Sequence, residues 1–158
     1  MNQTTQEPLH DYILIIQDLS AVAGEIALVE DKKTEAASNK RHELLDGYIQ
    51  KEQALLLKLR GLEQHRIKQQ ASLGWDGLTL RQILEAAPPE QRKALIPAFE
   101  ELEFKLDRLQ KAREASEQIL KVRLRELELF TLQSAAYTHD GKQKPAAAPH
   151  SRIGDRYV

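Results

Sequence analysis

The residues in this chain that could do acid–base, nucleophilic or metal chemistry are numerous, but none is grouped as that chemistry requires. Five histidines, His10, His42, His65, His139 and His150, show no metal-ligand spacing, and no His-x3-His pair encloses a glutamate. A metal site needs ligands that converge, so these read as solvated positions on helices or in the tail. Carboxylates crowd at Glu100-Glu101-x-Glu103 and Glu126-x-Glu128. A catalytic carboxylate needs burial to move its pKa, whereas these lie off the apolar rows beside Lys and Arg at helical spacing, the pattern of a solvated face. Ser20, Ser38, Ser72, Ser116 and Ser134 lack the glycine frame of a nucleophile elbow. Gly74 and Gly77 form no phosphate loop, because no strand precedes them and no Gly-Lys-Ser/Thr follows; Gly141-Lys142 matches only a dipeptide. Cysteine is absent, which removes disulfides, thiolate nucleophiles and thiol metal sites. The sequence therefore predicts a binding protein rather than an enzyme, with no catalytic residues, no cofactor and no metal.

Charge narrows the partners. Lys and Arg alternate with Glu and Asp along the chain and the formal net charge is −1, so the concentrated basic excess of a nucleic-acid binder is missing. Met1 to Glu7 is polar and lacks the basic and apolar parts of a signal peptide. No unbroken apolar run approaches the roughly 18–20 residues that span a bilayer. These features predict a cytoplasmic protein with no membrane insertion.

The elements that would position any binding residues are helical. Aromatics make up only 5% of the 158 residues and charged residues 30%, in a mixture of Leu, Ala, Glu, Lys, Arg and Gln that favours long solvent-washed helices. Leu9, Tyr12, Ile16, Leu19, Ala23 and Ile26 are spaced 3, 4, 3, 4 and 3, a coiled-coil-like seam, with Pro8 at the first helical turn. Asp31 to Asn39 offers no apolar anchor and is either an exposed helix extension or the turn into the next segment, with a turn expected between Ala36 and Arg41. A second helix from about Asn39 to Ala71 carries Leu45, Tyr48, Leu55, Leu59 and Leu62, with Glu52 in one polar seam position. Gly74 and Gly77 end it, and Thr79 is placed to cap a short helix, Leu80 to Ala86, stopped by Pro88 and Pro89. Trp75 is expected at a half-exposed site covering the end of the hairpin, with a partner anchor as the alternative.

The third long segment, Pro89 to Ala135, begins its seam with Leu95, Phe99, Leu102, Leu106 and Leu109. Polar Arg113, Ser116 and Arg123 interrupt that seam, and Pro97 is expected to kink or break the helix near Lys93 to Ile96. Leu120, Val122, Leu124, Leu127, Leu129, Phe130 and Leu132 are more apolar positions than one seam needs. The surplus suits helix-in-groove recognition of a partner, or else a second intramolecular contact or a homodimer seam. From Thr138 the chain turns to Pro, Ala and polar residues that cannot offset chain entropy, and it is expected to be disordered. The fold class is thus all-α: an elongated antiparallel helical bundle, built from a long coiled-coil-like hairpin and a long third helix. Residues 1–137 form the helical domain and 138–158 the flexible C-terminal tail.

In order and spacing, four stretches resemble the FlgN family of flagellar type III export chaperones over nearly the whole chain. They are Leu45 to Arg66 with its leucine row, SLGWDGLTLRQILEAAPPEQRKAL, LDRLQKAREASEQILKVRLRELELF, and the pairing of AYTHDGK with a terminal SRIGDRYV. Arg113 and Ser116 stand where family members often carry Asn, and Thr138 where Gly often follows the Tyr. The resemblance implies a chaperone that binds hook-associated proteins of the FlgK and FlgL type through the end of the third helix. That assigns cargo binding to Leu120, Leu124, Leu127 and Phe130. It also implies delivery to the cytoplasmic domain of the export gate, with Tyr137 implicated in docking there. A structural coiled-coil homo-oligomer or adaptor without cargo is the alternative.

Overall fold

The structure is a computed structural model that describes residues 3–138, which contain no strand. They form α1 (Gln3–Ser38), a 3-10 turn (His42–Leu44), α2 (Leu45–Ser72), α3 (Leu80–Ala86) and α4 (Pro89–Thr138). The chain divides into two compact units, Met1–Ile119 and Leu120–Val158.

In the first unit α1 is the central helix. Its seam residues Tyr12, Ile16, Leu19, Ala23 and Ile26 are all buried. α2 returns antiparallel to α1: Tyr12 bonds Gln70 near one end of the pair and Lys33 bonds Glu52 near the other. α4 runs parallel to α1, with Phe99 against Tyr12 and Ser116 against Glu30. The arrangement is an up-down-up bundle. One apolar cluster joins Tyr12, Ile16 and Leu19 to Trp75, Ile83, Leu95, Phe99 and Leu102. A second joins Val22, Ala23, Ile26 and Ala27 to Leu109 and Ala112, with Leu55, Leu56, Leu59 and Leu62 packed alongside. Each fully buried Ile or Leu contributes roughly 1.5–3 kcal/mol, and α1 supplies the greatest share of them.

That central position corrects the reading of α1's apolarity. Within Gln6–Ser38 an 18-residue window reaches a mean hydropathy of 1.7, long and apolar enough by composition to cross a membrane. Two acidic residues, Asp18 and Glu25, break the run for the eye without lowering the average enough. Because α2 and α4 cover it, 61% of the window is buried inside the protein.

The connections follow local chemistry. The turn after α1 falls within the expected stretch, with Lys40 in the left-handed region at φ 57°. Gly74 and Gly77 also have positive φ, 82° and 71°, which removes the Cβ penalty at the α2–α3 connection. Thr79 makes a full capping box with Gln82: the Thr79 hydroxyl accepts from the Gln82 N–H, and the Gln82 side chain accepts from the Thr79 N–H. Arg92 donates to the carbonyls of Leu84 and Ala87 at 2.8 and 3.2 Å, closing the far end of α3.

Four expectations are revised. α1 begins five residues before Pro8, which therefore lies inside the helix rather than at its start. Of the kink or break expected at Pro97, the break does not occur: α4 runs on through it, with buried Leu95, Ala98, Phe99 and Leu102 packed on both sides of the missing hydrogen bond. Trp75 is only 7% exposed and meets the Tyr12 ring edge-on at 5.8 Å, so it is core and no partner anchor. Leu106 leaves the buried seam at 43% exposure and borders an apolar groove with Leu19, Leu56 and Leu59, while Lys105 lies across Gly24, with Nζ 3.4 Å from where a Cβ at Gly24 would stand.

Candidate partner-binding surface

The residues of α4 after Ile119 have no glycine or proline through Thr138, and Leu, Lys, Arg and Glu dominate, all good helix formers. Arg123 supports the helix through an ion pair to Glu126 at 2.7 Å. Leu124, Leu127 and Phe130 are exposed, at 58, 52 and 67%, and Leu120 is partly buried. Val122, Leu129 and Leu132 are exposed as well. At 3.6 residues per turn, Leu120, Leu124 and Leu127 fall within about 60° of one another and Phe130 stands about 60° beyond. Val122 and Leu129 lie on the opposite side. The helix thus carries two apolar rows, separated by Lys121, Arg125, Glu126 and Glu128. Apolar exposure in rows of this kind makes the end of α4 a candidate interaction surface.

Tyr137 occupies the last turn of α4, which also takes in Thr138, the first residue of the predicted tail. The Tyr137 side chain and the predicted tail after Thr138 lie outside the described residues.

A second arrangement escaped the reading of the sequence. The α1 seam does not stop at Ile26. It continues at the same spacing through Glu30, Lys33 and Ala37, all buried. Lys33 Nζ donates to Glu52 Oε2 at 2.8 Å and lies 3.3 Å from Glu30 Oε2, and the Ser116 hydroxyl donates to Glu30. Burial pushes the Glu30 carboxyl above its usual range, reinforced by its hydrogen bond to Glu52. Burial acts the same way on Glu52, but the bond from Glu30, the Lys33 ammonium and the Arg113 guanidinium outweigh it and hold that carboxyl low. Glu52 and Ser116 were recognisable as polar entries in apolar seams. Lys33, the partner of Glu52, was hidden in Asp31 to Asn39, a stretch that looked like an exposed helix extension or a turn because it lacked apolar anchors.

At the other end of the first unit Gln70 accepts from the Tyr12 hydroxyl at 3.2 Å and donates to the carbonyls of Trp75 and Leu78 at 2.9 and 2.8 Å. Between the two polar clusters lies an apolar groove of about 360 Å³, lined by Leu19, Leu56, Leu59, Leu102 and Leu106 with Arg60 and Glu63. Among the described residues no three His, Asp or Glu side chains are grouped to hold a metal.

No protein-family model, curated protein or solved structure matches this chain.

Proposed function

We propose that this protein is a flagellar export chaperone that binds hook-associated proteins, keeps them from assembling prematurely and delivers them to the export gate in the cytoplasm. The observation that carries the reading is the doubly apolar end of α4, with Leu124, Leu127, Leu129, Phe130 and Leu132 all more than half exposed. The resemblance of the chain to the FlgN family supplies the identity of the cargo. An amphipathic helix of the cargo would cover one row, and the flanking Lys, Arg and Glu would line the rim. Full burial of a Leu or Phe gives roughly 1.5–3 kcal/mol, and association costs roughly 4–15 kcal/mol in lost freedom. These side chains begin half covered, so several must be engaged together for binding to hold. That favours a continuous partner helix over a short peptide.

Calorimetric titration of the purified protein with a hook-associated protein tests this. A one-to-one or two-to-one complex is expected, weakened at least tenfold by Leu127→Asp, because an unpaired carboxylate costs several kcal/mol in an apolar contact. Absence of binding, with a concentration-dependent homo-oligomer seen by light scattering, would sink the chaperone reading and favour a structural coiled coil.

A further inference from the structure

The buried cluster of Glu30, Lys33, Glu52 and Ser116 draws on α1, α2 and α4, and each of its members is at most 9% exposed. With both carboxylates ionised its buried side chains would hold two negative charges against one ammonium, since the Arg113 beside them is exposed. An unbalanced charge at such depth costs several kcal/mol, and one proton shared between the carboxyls removes it. The geometry suits that proton. Lys33 Nζ reaches both carboxylates at once, which sets Glu30 and Glu52 side by side. Lys33 lies nearer Glu52, at 2.8 Å, than Glu30, at 3.3 Å, so the ammonium favours the anion on Glu52 and leaves the proton to Glu30. The groups facing the pair are Lys33 from α1, and from α4 the Ser116 hydroxyl and Arg113, which acts on Glu52. The nearby Arg108–Asp31 pair is 3.7 Å apart and about half exposed, which leaves it well screened.

We propose that this cluster is a proton-dependent clasp: with one proton on the Glu30–Glu52 pair it holds α4 against α1 and α2 around Ser116, and loss of that proton loosens α4 there. The sign follows from linkage. The folded protein binds the Glu30 proton more tightly than the unfolded chain does. Its contribution is complete below the ordinary glutamate range and is lost as pH rises through the higher value Glu30 has when folded. Glu52 behaves oppositely, contributing above the ordinary range and losing its contribution as pH falls through its depressed value. The clasp is closed between those two limits and opens on the alkaline side through Glu30.

The test uses the full chain. Unfolding by denaturant is followed between about pH 5 and 9 for the wild type and Glu30→Gln, whose amide can donate to Glu52 but cannot ionise. Relative to the variant, the wild-type folding constant is expected to fall by about tenfold per pH unit until Glu30 is ionised. Amide exchange in residues 109–119 should accelerate with pH in the wild type beyond the intrinsic rate, and not in the variant. Parallel pH slopes in the two proteins would overturn the proposal. Should the variant not fold, carbon-13 NMR titration of the wild-type side-chain carboxyls decides. One glutamate titrating above the ordinary range is expected, and none doing so overturns the clasp.

Discussion

Gln70 carries the clearest single-residue prediction. Its side chain is 5% exposed and satisfies the carbonyls of Trp75 and Leu78 while accepting from Tyr12. Gln70→Ala takes the side-chain donor from the Leu78 carbonyl and leaves the Trp75 carbonyl with only the Leu78 N–H, at roughly 1–3 kcal/mol for a group left buried and unpaired. A markedly lower melting temperature is expected. The fluorescence of Trp75, the one tryptophan in the chain, should shift to the red as the α2–α3 connection loosens. An unchanged emission maximum would mean the two glycines alone hold that connection. At the opposite end of the first unit, Ser116→Ala removes the hydroxyl that reaches Glu30 from α4. A loss of about 1 kcal/mol is expected from denaturant unfolding.

At the scale of elements, α3 depends on its cap. Seven residues are too few to be helical alone, and nucleation of so short a segment needs an external stop. Thr79→Ala removes one half of the capping box and should cost about 1 kcal/mol, in the range measured for such caps. Gln82→Ala should cost less, because only the reciprocal bond is lost. Equilibrium unfolding of both variants checks the order. α4 shows the opposite dependence. Beyond Ile119 its apolar side chains are largely exposed, so their replacement by charge removes little packing. Phe130→Asp is therefore expected to leave the melting temperature within a few degrees of wild type while reducing affinity for a hook-associated protein at least tenfold. A collapse of the melting curve with no change in affinity per folded molecule would place Phe130 in the core instead.

For the whole molecule, the proposed function separates holding from delivery. Tyr137 stands in the last turn of α4, beyond the apolar rows in sequence. Tyr137→Ala is expected to leave cargo affinity within a few-fold while reducing secretion of hook-associated proteins and capture by the gate's cytoplasmic domain. Tyr137→Phe should be milder if the ring supplies most of the contact. Calorimetry with cargo and a pull-down with the gate domain, run on the same preparations, distinguish the two steps. Equal loss in both assays would assign Tyr137 to the cargo surface.

The sequence by itself determined the helices, because the information that makes them is local. The 3-4 spacing from Leu9 to Ile26, the Thr79 cap and the Gly74 and Gly77 turn act within a few residues of where they stand, and each is realised where it was legible. The surplus of apolar positions after Leu120 was legible for the same reason. Which positions are covered was not, since that depends on residues far away in the chain. Trp75 is core because Tyr12 lies edge-on to it, and Leu106 is half exposed because it borders an open apolar groove. Pro97 stays helical because packing on both sides outweighs one missing bond. Glu30 and Lys33 looked like the approach to a turn. Only the meeting of three helices, with Glu52 and Ser116 aligned to receive them, gives those buried charges their partners.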